Sequence, residues 1–136
     1  MRLKSVLIVL AVMLIFSGSA MASLDTLTVQ TLAYTGITPS FTAVGGDTVY
    51  VPNNGYTLVE VKNASGAEIT VTVDSQMESE EGRAATDNAV TVAATTGDKI
   101  IGPLLQKAWN VTSSGYAVFI FSATADVTIA AYKINR

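Results

Sequence analysis

Residues able to do acid–base or metal chemistry are few in this chain and poorly spaced for it. None of the 136 residues is a histidine or a cysteine. That removes the commonest general base, the commonest transition-metal ligand, and any thiolate or disulfide. Carboxylates remain. Glu78, Glu80 and Glu81, flanked by Asp74 and Asp87, carry enough oxygens to interest Ca²⁺. They have no D-x-D spacing and no glycine where a sharp turn would aim the ligands, so residues 75–88 read as a solvated, charged loop. Glu60 and Glu68 are the best pair for glycoside hydrolysis, which needs two acids across a cleft. Both fall on outward strand faces, and a chain this short has little material for a cleft. A Ser or Thr nucleophile without histidine would need a lysine base, and no S-x-x-K motif occurs. The expectation is a protein that is not an enzyme and holds no cofactor or metal.

Recognition chemistry is the next question. Trp109, Tyr116, Phe119, Phe121 and Tyr132 are the aromatic candidates for a sugar-stacking face. Aromatics in strands more often fill cores or pair across strands. Asn63-Ala64-Ser65 and Asn110-Val111-Thr112 match the N-glycosylation pattern, which Ser/Thr-rich chains carry by chance. The formal charge is -3. Beyond residue 22, six basic residues face eleven acidic ones, a balance of -5. With no basic stripe and no phosphate-cradling glycine loop, the chain has no electrostatic footprint for nucleic acid.

Residues 1–22 form an apolar leader with the plan of a secretory signal. Arg2 and Lys4 are basic, residues 6–16 are an unbroken apolar run, and Ala20-Met21-Ala22 is an A-x-A cleavage site before Ser23. As a helix, that run rises about 16 Å, against a hydrocarbon core of roughly 30 Å. Membrane contact is thus expected only in transit, if the chain is exported. Met21 also offers a start of its own directly before the patterned region.

Residues 23–136 read as one domain rich in Val, Thr, Ala, Ser and Gly, which favours short strands and tight turns. Period-two alternation begins at Leu27, and strands are expected near residues 27–30, 48–51, 56–62, 68–74, 89–93, 99–101, 116–122 and 127–134. Asn54-Gly55 marks a tight turn. Val59 and Val61 should face inward, as should Ile69, Val71 and Val73, and the short link between these two runs predicts a β-hairpin. Residues 104–111 include a short helical turn. In residues 116–122, Ala117, Phe119 and Phe121 share one face and Val118 and Ile120 the other. Both faces are apolar, so this strand is central or meets another subunit. The predicted fold is all-β: a single antiparallel β-sandwich of jelly-roll or Ig-like layout, behind an apolar signal-like helix.

The order of certain motifs carries a resemblance. These are Leu24-Asp25-Thr26-Leu27-Thr28-Val29-Gln30, Gly45-Gly46-Asp47 followed by Asn53-Asn54-Gly55, Val59-Glu60-Val61-Lys62-Asn63, and Ile69-Thr70-Val71-Thr72-Val73. Ile101-Gly102-Pro103-Leu104 and Val127-Thr128-Ile129-Ala130-Ala131 complete the set. Over nearly all of residues 24–134 the chain resembles a family of small tailed-phage virion structural proteins of the head-decoration kind. The resemblance implies a β-sandwich assembled on a capsid in many copies, a homo-oligomer whose partners are other virion proteins or copies of itself. Candidate interface residues are Leu24, Leu27 and Val29 on an N-terminal arm, with Trp109 and Tyr116. The alternative takes the leader at face value: an exported cell-surface or fimbria-like subunit, or a secreted module binding carbohydrate or protein, released by cleavage after Ala22.

Overall fold

The computed structural model describes residues 26–78 and 82–135. The leader with its signal-like helix, Leu24, and the acidic Glu80 and Glu81 lie outside the described residues.

Among the described residues, alternating Val, Ile and Thr residues fold as nine strands: β1 (Val29–Thr31), β2 (Thr42–Ala43), β3 (Thr48–Pro52), β4 (Thr57–Asn63), β5 (Ile69–Val73), β6 (Asn88–Val92), β7 (Gly97–Ile101), β8 (Tyr116–Phe121) and β9 (Val127–Lys133). A single helical turn, α1 (Gln106–Trp109), falls where one was expected. The strands form two sheets. One runs β1-β9-β4-β7, with β2 also on β9, and the other runs β3-β8-β5-β6.

The sandwich is all-β, as its pattern predicts. Val59, Val61, Ile69, Val71 and Val73 point into the core, each at most 1% exposed. Phe119 lies at its centre, fully buried, with Phe121 and Ile129 beside it. Burying a side chain of this size stabilises the fold by about 1.5–3 kcal/mol. Among the described residues the strands pair antiparallel except β1, which runs parallel to β9, and the isolated Thr26–Tyr50 bridge is parallel too. Both follow from the entry of the chain. Thr26 bridges to Tyr50, and the Leu27 N–H donates to the Tyr50 carbonyl at 2.9 Å, beside β3. The chain then crosses to the other sheet and lies along β9.

The expected hairpin between residues 56–62 and 68–74 does not form. β4 pairs with β7 and β9, and β5 pairs with β6 and β8. The two strands lie in opposite sheets with their apolar faces opposed across the core. Period-two alternation specifies which face is buried and leaves the neighbour open. Asn63 specifies the neighbour. Its side chain is 1% exposed. Its amide donates to the Ala67 carbonyl at 2.8 Å and to those of Val92 and Ala93 at 3.3 and 3.0 Å. Its oxygen accepts from the Ser65 N–H at 3.0 Å and the Ser65 hydroxyl at 2.6 Å. These bonds arch the chain across the core and bind that arch to the next one, between β6 and β7.

Gly97 makes the crossing possible. It sits opposite Asn63 in the β4–β7 ladder, and a Cβ there would lie 2.1 Å from the Ala93 carbonyl oxygen. The far end has its own polar lock. The Asn53 amide donates to the Leu104 carbonyl at 2.9 Å and to Asn110 Oδ1 at 2.6 Å. Asn110 Nδ2 donates back to the Asn53 carbonyl at 2.9 Å and to that of Gly115 at 2.9 Å. The Asn54-Gly55 turn forms as expected, with Gly55 at φ +91°.

Candidate interaction surface

The residues with chemical potential are mostly consumed by the fold. Among the described residues, no group of three or more His, Cys, Asp or Glu side chains gathers to hold a metal ion. Asp74 accepts from the Gln76 side chain at 2.8 Å, and Asp87 accepts from the Ser75 N–H at 2.9 Å, so both brace the loop they belong to. Glu60 and Glu68 do not share a cleft. Glu60 lies mid-strand in β4, while exposed Glu68 precedes β5 of the other sheet. Both asparagines of the glycosylation-like tripeptides spend their amide hydrogens on backbone carbonyls. A glycan on either nitrogen would displace those bonds.

The outer face of the β1-β9-β4-β7 sheet is polar along β4. Lys62 Nζ lies 3.3 Å from Glu60 Oε1 and 3.6 Å from Asp98 Oδ2. It also stands 4.3 Å above the centre of the Phe41 ring. The Tyr132 hydroxyl donates to Glu60 Oε2 at 2.8 Å. Burial, then the Glu60 carboxylate as acceptor and neighbouring charge, raises the Tyr132 phenol above its ordinary range. Gln30 pins the β1–β2 connection nearby, donating to the Thr38 carbonyl at 3.1 Å and accepting from the Ser40 N–H at 2.8 Å. Leu32, Ile134 and Tyr56 continue the row at the end of this sheet, all exposed.

The outer face of the β3-β8-β5-β6 sheet is different in kind. None of its four strands contains a charged residue. Tyr50 of β3 is 39% exposed and Ile120 of β8 is 41% exposed. They flank Val118, which pairs with Tyr50, and Thr70 and Thr72 of β5 extend the surface. Tyr116, half-buried, lies in the same row on β8 opposite Pro52. Asp74, directly after β5, donates its N–H to the Val118 carbonyl at 3.0 Å and puts a carboxylate at the margin of this face, whose strands themselves carry no charge. A face of this kind is suited to contact with another protein.

Only part of the predicted interface is on that surface. Tyr116 belongs to it. Leu27 is a core residue, 2% exposed, held inward by its bond to Tyr50. Val29 and Trp109 are partly buried and pack on the core. The N-terminal arm is correspondingly committed to its own chain from Thr26 onward, so these residues are not a free strand for a neighbour. The aromatic set does not gather into a sugar platform either. Phe119 and Phe121 are core residues and Tyr132 is 6% exposed. The residues missed in the sequence are Tyr50 and the pairing that brings it beside Ile120. The available signal was the doubly apolar pattern of residues 116–122. No protein-family model, curated protein or solved structure matches the chain.

Proposed function

We propose that this chain is a non-enzymatic structural subunit of a virion, of the head-decoration or capsid-associated kind, acting through multicopy protein–protein contacts. The observation that carries the reading is the outer face of the β3-β8-β5-β6 sheet, whose strands carry no charged residue, with Tyr50 and Ile120 exposed on it. The resemblance of residues 24–134 to small tailed-phage virion proteins supports the same conclusion. Strand order adds support. Successive strands from β2 to β9 alternate between the sheets except at β5–β6, giving β2-β9-β4-β7 against β3-β8-β5-β6. We read this as a jelly roll, an architecture used by viral capsid and lectin domains. The architecture alone does not assign a function.

Size argues for many copies. Four strands of about five residues cover roughly 300 Å², taking the usual strand spacing and rise. A stable one-to-one interface needs about 800 Å² per partner. One such face gives a weak contact, and only repetition on a lattice makes it firm. Mass spectrometry of purified particles tests the reading: the protein should be present in many copies per virion. Its absence from particles, in cells that make it, would contradict the proposal.

The leader favours a second reading, an exported cell-surface subunit or secreted binding module. The native protein's intact mass separates the two. A start at Ser23 supports export, and a start at Met21 or Ala22 supports assembly inside the cell.

A further inference from the structure

Each sheet of an open sandwich has two edges, and a bare edge is a template for another strand. Among the described residues, three of the four edges are blunted. β7 carries Asp98 and Lys99. At the opposite edge of that sheet, β1 and β2 are three and two residues long. The β3 edge is occupied by Thr26 and Leu27, which bond to it at Tyr50. β6 is the exception. It has five residues, Asn88-Ala89-Val90-Thr91-Val92, with no charge and no proline. Among the described residues its strand partner is β5, on one side only. Asn88, Ala89 and Thr91 are exposed, and Val90 is only partly buried although it packs against the core.

We propose that β6 pairs antiparallel with β6 of a second copy of this chain, about a two-fold axis at Val90, joining the two uncharged sheets into one of eight strands. The β6 sequence favours a second copy as the occupant. Antiparallel pairing about Val90 sets Val90 opposite Val90, Ala89 opposite Thr91, and Asn88 opposite Val92. Each pair lies on one face, so the two half-covered valines shield each other at the joint while Ala89 and Thr91 stay on the outer face. Copies of an acidic chain repel wherever their charges meet; β6 itself carries none, and in this register Asp87, just before it, falls opposite Ala93 rather than opposite another carboxylate. Pairing also doubles the flat outer face to roughly 600 Å² on the same strand-spacing geometry. The inference stands on the sheet edges and holds equally for a virion protein or an exported subunit.

The absence of native cysteine makes a clean test. Two single variants, Ala89→Cys and Thr91→Cys, are oxidised gently, separately and mixed, with Ile100→Cys on the charged β7 edge as the collision control. Residues directly opposite have Cβ atoms about 4.5–5.5 Å apart. The mixture should therefore form a disulfide-linked dimer about tenfold more readily than either variant alone or the control. Sedimentation of the unaltered protein over a concentration series should show a monomer–dimer equilibrium. The double variant Ala89→Lys/Thr91→Lys, with its circular dichroism unchanged, should remain monomeric. Cross-linking of the mixture no faster than the Ile100→Cys control overturns the proposal. So does an unaltered protein that stays monomeric into the millimolar range, a result that does not depend on how any variant folds.

Discussion

Asn63 is the side chain on which the crossing geometry converges. It bonds its own loop at Ser65 and Ala67 and reaches Val92 and Ala93 on the next arch. Leaving buried partners unsatisfied costs about 1–3 kcal/mol. Asn63→Ala should therefore lower stability by about 2–3 kcal/mol in urea unfolding, with the slope unchanged. Gly97→Ala should be at least as damaging, because the new methyl meets backbone rather than a movable side chain. Tyr132 gives a pH signature. Its phenol is raised in the folded state, so the folded protein holds that proton more tightly than the unfolded chain. The resulting stability is full below the unfolded phenol's range, near pH 10, and is lost as pH rises toward the higher folded value. Tyr132→Phe should flatten the fall in melting temperature above about pH 10. An unchanged alkaline profile would show that the buried Tyr132 phenol does not carry this pH dependence.

At the scale of elements, the two sheets place opposite chemistry on opposite sides. β4 and β7 present the Glu60–Lys62–Asp98 group outward, while β3 and β8 present Tyr50, Val118 and Ile120. Ile120→Lys puts a charge at an exposed position and should cost under about 1 kcal/mol of stability. If the face docks, the same change should abolish association. Most of the strands were legible from local alternation, and so were the inward sets in β4, β5 and β8. Strand partnership was not. The bonds that decide it span thirty residues from Asn63 to Ala93 and fifty-seven from Asn53 to Asn110, beyond any local pattern. In the sequence Asn63 stands in a glycosylation-like tripeptide and at the end of the Val59–Asn63 motif, and neither reveals its structural use. Of the candidate interface residues, Tyr116 lies on the outer face of the β3-β8-β5-β6 sheet, whereas Leu27 is buried, and nothing local in the sequence reveals its bond to Tyr50.

For the whole molecule, an acidic chain, a face whose strands carry no charge and, among the described residues, one uncovered sheet edge suit the proposed role of a repeated subunit. Each contact is small, so function should depend steeply on copy number and only weakly on any one site. Salt should matter little to docking through a face whose strands carry no ions, in contrast to a charged interface. Incorporation into particles that is unchanged between low and high salt would agree with this. The most direct measurement is quantitative mass spectrometry of purified virions grown with the unaltered protein or with folded Ile120→Lys. The account predicts many copies of the first per particle and loss of the second. Particles that lack the unaltered protein, or that take up both equally, would contradict it.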